Sequence, residues 1–249
     1  MLARLSDDIG IALDEGGTYR FHGGHRLWAA PEVPSITYAP DNHDCDVTIN
    51  GEELTISAGP DAAGLAKELT VTPGESGPVI DHQLTNAGTR DVTVAVWSIT
   101  QFQLGGIAIA PTGAATSSTG VQADRSLVIW PYTDLSDARL SWRDAAVLVE
   151  AAPGEKIKVG VGPDPKQLGY FYDGYLFSKK VAPAGEGDYP DFGAVGQVFV
   201  NEDFCELESV GPIETLSPGS STSLQETWSI SECSDIETAC SLVLDRRPT

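Results

Sequence analysis

The segment with the clearest signal for proton transfer is Phe204-Cys-Glu-Leu-Glu-Ser-Val-Gly-Pro. On a strand, Glu206 and Glu208 would point to one face and Leu207 to the other, with the two Glu Cβ atoms roughly 6.5–7 Å apart. Two carboxyl groups this close titrate as a pair, so that one stays ionised while the other holds its proton. A solvated outer face is the alternative, because Glu is common there. We expect Glu206 and Glu208 to be catalytic.

A second candidate is Phe21-His-Gly-Gly-His-Arg-Leu-Trp-Ala-Ala-Pro-Glu, where a histidine, an arginine, a tryptophan and a glutamate follow two glycines. The glycines can take positive φ or let the backbone approach closely. We expect a functional site formed by His25, Arg26, Trp28 and Glu32. The alternative is a structural turn in which Trp28 anchors the core and Arg26 pairs with a local carboxylate.

Three further segments combine aromatic and polar side chains suited to sugar hydroxyls and C–H groups. The first contains Tyr38, Asp41 and Asn42, the second contains Tyr132 and Asp134 between Trp130 and Trp142, and the third contains Lys179. Ordinary turn chemistry explains the first two equally well. Lys179 lies on the strand that leaves a predicted Asp173-Gly174 hairpin turn, and its alternative role is a salt bridge.

The histidines and cysteines give no metal-site signal. There is no HxH, HExxH or CxxC pattern, and His22, His43 and His82 have no metal-ligand spacing. The sequence also lacks GxSxG, a P-loop and a GxGxxG before a helix. We therefore expect neither a metal nor a cofactor.

Period-2 alternation of apolar and polar residues indicates the elements that must position these side chains. It predicts strands over 46–49, 53–57, 68–72, 78–84, 91–102, 126–130, 145–150, 156–161, 175–179, 197–200, 204–210 and 223–230. Only the tail, 232–245, is predicted to be helical, with a Ser234–Glu237 capping box and an apolar stripe that includes Cys240. The sequence predicts one all-β domain over residues 1–249, made of two stacked antiparallel sheets.

The charge balance limits the partners. The 36 acidic and 15 basic residues give a net charge of −21, which repels nucleic acid and anionic membrane surfaces. No apolar segment approaches the roughly 20 residues of a membrane span. Asp7 and Asp8 interrupt the apolar stretch that a secretory signal needs, so we expect a cytoplasmic protein with a small-molecule ligand.

Several motifs together resemble a bacterial family of largely uncharacterised proteins with a galactose-mutarotase-like fold, distantly related to aldose 1-epimerases. They are Gly23-Gly-His-Arg-Leu-Trp, Pro31-Glu, Tyr38 with Pro40-Asp-Asn, Trp130-Pro-Tyr-Thr-Asp, Leu176-Phe-Ser-Lys, Tyr189-Pro-Asp-Phe-Gly and Glu206-Leu-Glu-Ser-Val-Gly-Pro. The resemblance implies a β-supersandwich whose concave face binds a carbohydrate-like ligand. It also makes Asp191 a candidate binding residue.

The resemblance implies roles as well. Glu208 matches the general base of aldose epimerases, while the strand 95–102 lacks their acid histidine. We therefore expect His25, or else His82, to be the acid, with Arg26, Asp134 and Lys179 binding substrate. Related sequences have more strands before the Gly-Gly-His-Arg segment, so we expect an exposed sheet edge and leave a homodimer open.

Three functions remain as hypotheses. The first is an epimerase-like enzyme acting on a sugar-like ring, the second is a carbohydrate-binding protein without catalysis, and the third is a lyase or cyclase acting on a non-sugar substrate. The first, with Glu208 as base and His25 as acid, requires that these two side chains converge on one cavity.

Overall fold

The computed structural model describes residues 1–14, 17–39, 44–112, 121, 123, 125–162, 167–181 and 187–245. The candidate residues Asp41 and Asn42 lie outside these ranges. The first described strands are β1 Gly10–Ala12, β2 Thr18–Arg20, β3 Gly24–Ala30, β4 Asp46–Asn50, β5 Glu53–Ala58, β6 Leu65–Thr72, β7 Val79–Asn86, β8 Val92–Phe102, β9 Ile107–Pro111 and β10 Ser126–Ile129. The later strands are β11 Leu140–Trp142, β12 Ala146–Glu150, β13 Ile157–Gly162, β14 Gln167–Tyr172, β15 Tyr175–Val181, β16 Gly196–Val200, β17 Cys205–Val210, β18 Glu214–Leu216 and β19 Ser221–Glu232. The described helical segments are α1 Pro34–Thr37, α2 Pro190–Gly193 and α3 Ile236–Val243.

Two large antiparallel sheets dominate the described structure. The larger one has the strand order β11-β12-β9-β14-β15-β19-β7-β6-β5-β4. The smaller one has the order β10-β13-β16-β17-β8-β18, and β3 pairs with β8 as well. Apolar residues of both sheets form one buried core, including Val159 and Leu207 from the smaller sheet and Leu168 and Phe177 from the larger. This is the predicted antiparallel sandwich.

The register of β3, β8 and β17 decides which side chains can meet. Glu208 pairs with Ile99 and Ile99 pairs with Arg26, so these three share one face of the smaller sheet. Leu207, Thr100 and His25 form the next row, whose side chains point to the opposite face. The predicted convergence of Glu208 and His25 is therefore wrong, because a whole sheet separates the two side chains.

The Gly-Gly-His-Arg segment forms the start of a strand. Gly23 and Gly24 have φ values of 87° and 78°, and a Cβ at Gly23 would lie 2.3 Å from the carbonyl oxygen of Ala3. Glycine is needed at this point because the chain turns tightly there before β3 begins.

The C-terminal helix α3 packs on the outer side of the larger sheet. Ala239, Cys240 and Val243 are buried against apolar residues of β9 and β15, as the stripe predicts. The cap differs from the prediction: the side chain of Asp235, rather than Ser234, accepts the hydrogen bond from the Thr238 backbone N–H. In the described ranges, no helix has the length and apolar character needed to cross a membrane.

Candidate functional site

A cavity of ≈ 440 Å³ opens on the outer face of the smaller sheet, where Glu206 lies. Its walls include the aromatic residues Trp28, Tyr38, Trp97, Trp130, Tyr132 and Phe199. They also include the charged residues Glu32, Lys156, Lys158, Glu202, Asp203 and Glu206. Aromatic walls with a few converging polar groups are typical of small-molecule sites.

Glu206 is a buried carboxyl group in the wall of this cavity, and its pKa is raised. It is 7% exposed, and its Oε1 accepts a hydrogen bond of 2.8 Å from Gln101 Nε2. Burial, followed by the charge of Glu208, raises the pKa of Glu206 to about 8. Glu206 therefore carries a proton at neutral pH and can donate it to a bound ligand.

Glu208 is held behind the cavity wall. It is 1% exposed, and its Oε2 accepts hydrogen bonds of 2.8 Å from both Trp97 Nε1 and Lys158 Nζ. The Lys158 ammonium lies 4.7 Å from the ring centroids of Trp97 and Trp130. These contacts hold the ion-paired Glu208 next to Glu206, where it adds to the effect of burial in raising the pKa of Glu206.

Burial and nearby acidic residues raise the pKa values of two tyrosines in the cavity wall. Burial, then the charges of Glu208, Glu32, Glu206 and Asp191, raise the pKa of Tyr132. Burial and the hydrogen bond that the Tyr38 hydroxyl donates to Glu32 raise the pKa of Tyr38. Glu32, Glu206 and Asp191, which come from separate segments of the sequence, thus all lie near Tyr132.

Arg26 and Trp28 brace one side of the site. The Arg26 guanidinium donates hydrogen bonds to the carbonyl oxygens of Arg20 (2.8 Å) and Phe21 (3.0 Å) and lies 4.7 Å from the Tyr19 ring centroid. Trp28 Nε1 donates to the Tyr19 hydroxyl at 2.6 Å. Trp28 lines the cavity, whereas Arg26 lies in the wall of a separate cleft.

His25 and Lys179 do not line this cavity. His25 Nδ1 lies 3.0 Å from Thr100 Oγ1, and Lys179 Nζ lies 3.1 Å from Glu226 Oε1. Lys179 is fully buried. Both side chains lie between the two sheets, so the structure brings neither the expected acid nor the expected substrate lysine to the cavity.

Asp134 and Asp191 have local roles that the sequence leaves open. Asp134 is exposed, and its Oδ1 accepts hydrogen bonds from the backbone N–H and hydroxyl of Ser136, which makes it a turn residue away from the cavity wall. Asp191 takes a left-handed conformation, with φ 52°, and its Oδ2 accepts from Gln197 Nε2 at 3.1 Å. Asp191 therefore does not line the cavity but holds Gln197, which is paired directly opposite Glu208 on the neighbouring strand.

Sequence reasoning missed Lys158, Trp97 and Gln101, which hold the two glutamates. Trp97 and Gln101 alternate on β8 with the same phase, and the β8–β17 register sets Gln101 directly opposite Glu206. Gln101 could have been found from the sequence as a polar residue on the face of β8 that matches the face of Glu206 and Glu208 on β17. Lys158 comes from β13, two strands away from β17, so only the strand order could reveal it.

No protein-family model and no curated protein matches the chain. Solved structures do match. A proposed aldose 1-epimerase from Escherichia coli K12 has a TM-score of 0.50 at 12% identity, with 89% of this chain and 78% of that chain covered. A TPR-domain containing protein from Parabacteroides distasonis ATCC 8503 has a TM-score of 0.51 at 13% identity, with 88% and 40% covered. The expected galactose-mutarotase-like fold is therefore confirmed.

Proposed function

We propose that the protein is an enzyme that transfers protons on a sugar-like cyclic substrate in the manner of an aldose epimerase, with Glu206 as its main acid–base group. The observation that carries the proposal is the position of the buried Glu206 carboxyl in the wall of a cavity lined by aromatic rings. A carboxyl with a pKa of about 8 can both give and take a proton near neutral pH. No cofactor is needed for this reaction.

The proposed reaction exchanges the two anomers through the open-chain form. Glu206 gives its proton to the ring oxygen, and the bond between that oxygen and the anomeric carbon breaks. The anomeric hydroxyl gives its proton to a carboxylate, for which Glu32 in the same cavity is our candidate. Rotation of the resulting aldehyde and the reverse proton transfers close the ring on the other face, so protons and electrons balance.

Glu208 and Lys158 have a supporting role in this proposal. Burial and then the charge of Glu208 raise the pKa of Glu206, and Lys158 holds Glu208 in place at 2.8 Å. The cavity wall therefore contains one carboxyl with a raised pKa, and behind it lies a second carboxyl that is paired with an ammonium group. Separate roles for two neighbouring carboxyls are a recurring device in acid–base catalysis.

The test is anomer exchange measured by NMR with a panel of aldoses. Glu206→Gln keeps the shape of the side chain and removes its acid function, so we expect exchange to fall by about 10²–10⁴-fold. Glu202→Gln is the matched control, because Glu202 lies in the wall of the same cavity but is exposed. Equal rates in the wild type and Glu206→Gln would contradict the proposal.

Carbohydrate binding without catalysis is the second candidate. The observation in its favour is that, among the described residues, the cavity wall contains no histidine, whereas aldose epimerases are expected to use one as their acid. This function predicts that a sugar binds in calorimetry with the same affinity to the wild type and to Glu206→Gln, and that neither protein accelerates anomer exchange.

A further inference from the structure

We propose that His25, His82 and Glu226 form a binding site for a divalent transition-metal ion such as Zn²⁺ between the two sheets. The three residues come from β3, β7 and β19, so the site connects the smaller sheet with the larger one. One nitrogen or oxygen atom of each residue lies within 4.8 Å of the other two. Two imidazoles and one carboxylate are a known zinc ligand set.

The two imidazoles already face each other through the atoms that would bind the ion. His25 Nε2 and His82 Nε2 are 2.7 Å apart. Around a tetrahedral zinc ion, two such nitrogens are about 3.4 Å apart. The gap must therefore widen by about 0.7 Å. Movement of His25 can supply this, because its side chain is only partly buried.

The outer hydrogen bonds hold both rings in the required orientation. His82 Nδ1 donates to the Leu224 carbonyl oxygen at 2.9 Å, since a carbonyl can only accept, and this leaves a lone pair on Nε2. Such contacts are typical of metal-binding histidines. His25 Nδ1 contacts the Thr100 hydroxyl, which can donate or accept. His25 can therefore present either an N–H to His82 or a lone pair to an ion.

Glu226 supplies the third ligand from a fixed position. Its Oε1 accepts from Ser98 Oγ at 2.7 Å and is paired with Lys179 Nζ at 3.1 Å. Its Oε2 accepts from Trp228 Nε1 at 2.9 Å, and within the described contacts this oxygen keeps one lone pair. Oε2 is therefore the oxygen that we assign to the ion.

An ion can reach the site without unfolding of the protein. His25 lies in the wall of a cleft of ≈ 970 Å³ between the β3 edge and strands β5 and β6, and the same wall includes His22 and Cys45. His22 and Cys45 are exposed. They are the alternative ligands that the experiment must separate from the buried cluster.

Lys179 limits the affinity of the proposed site. Its ammonium group neutralises Glu226, so a bound dication adds positive charge to the interior. Replacing Lys179 with Met keeps most of the side-chain volume and removes the repulsion. We expect Lys179→Met to bind Zn²⁺ about tenfold more tightly or better.

The experiment uses the full chain with Cys45→Ser, treated with a chelator and dialysed. Calorimetry with Zn²⁺ is expected to give one equivalent, and Co²⁺ is expected to give visible absorption bands of a nitrogen- and oxygen-ligated ion without a thiolate charge-transfer band. His25→Gln is expected to weaken Zn²⁺ binding by about tenfold or more. His22→Gln is the matched control and is expected to bind as the parent does.

Three outcomes would overturn the proposal: no Zn²⁺ binding by the parent, equal binding by parent and His25→Gln, or loss of binding in His22→Gln. Thermal unfolding provides a second measurement, because an ion that binds the folded state raises the melting temperature. If His25→Gln does not fold, Thr100→Val replaces it, and unchanged affinity together with an unchanged Co²⁺ spectrum would then overturn the proposal.

Discussion

At the scale of single residues, Glu206 is the group whose protonation links stability to the proposed proton transfer. Its pKa is raised to about 8 from the ordinary value of 4.5, through burial and the charge of Glu208. Between these two pH values the folded protein binds more protons at this residue than the unfolded chain does. The contribution of Glu206 is thus fully present at low pH and is lost as the pH rises through about 8.

The first prediction compares the pH dependence of unfolding in the wild type and Glu206→Gln. We expect the free energy of unfolding of the wild type to fall relative to that of the variant as the pH rises from 5 to about 8. Urea unfolding at a series of pH values measures this difference. Parallel curves for the two proteins would show that Glu206 titrates normally.

The second prediction concerns the buried Lys158–Glu208 ion pair. Lys158→Met leaves the Glu208 carboxylate buried without its cation, and we expect a loss of about 3–5 kcal/mol of stability. Adding Glu208→Gln removes the uncompensated charge, so the double variant is expected to recover most of that loss. Urea unfolding of both single variants and the double variant gives the coupling energy. A double variant no more stable than Lys158→Met would contradict this account.

At the scale of elements, the cap of α3 gives the third prediction. Asp235→Ala removes the carboxylate that accepts from the Thr238 backbone N–H at 2.8 Å, and we expect a loss of about 1 kcal/mol. Ser234→Ala is the comparison, because the Ser234 hydroxyl contacts Asp235 Oδ2 and Thr238 Oγ1 but no backbone N–H in the described contacts. Thermal unfolding should therefore show the larger effect for Asp235→Ala.

Strand alternation predicts many elements of this fold, most clearly β7 and β19, in which buried residues alternate with more exposed ones. The hairpin at Asp173-Gly174 is also confirmed: Tyr172 pairs with Tyr175, and both turn residues have positive φ. Strand β3 was missed because residues 27–30 are all buried, which erases alternation. Strands β1, β2 and β11 are only three residues long, too short for a periodic signal.

The candidate site was predictable only in part. That Glu206 and Glu208 point to the same face of one strand follows from strand geometry. Their pairing with Gln101 and Ile99, which also alternate on β8, confirms it. The face of His25 depends on the register of β3 against β8, which no local pattern encodes. The cluster of His25, His82 and Glu226 depends in addition on the packing of the two sheets, so its residues have no characteristic spacing in the sequence.

At the scale of the whole molecule, the net charge of −21 makes the folded state repel itself at low ionic strength. The fourth prediction is that salt stabilises the protein as the Debye length falls from about 30 Å at 0.01 M to about 8 Å at 0.15 M. Thermal unfolding in NaCl and in choline chloride at equal ionic strength measures it. Screening predicts the same increase in both salts, whereas a cation-specific effect would differ between them.

The alternation along β8 sets Trp97, Ile99 and Gln101 on the cavity side of the smaller sheet and Ser98 and Thr100 on its other side. The glutamate pair at the cavity and the buried polar cluster around Lys179 therefore lie on opposite sides of a single layer of backbone. Burial lowers the pKa of Lys179, the adjacent Glu226 carboxylate opposes this effect, and Glu208 adds a smaller opposing contribution through that layer. Because only one layer of backbone separates the two sides of the smaller sheet, a proton gained on one side changes the electrostatic potential on the other. No strand has to move for this effect.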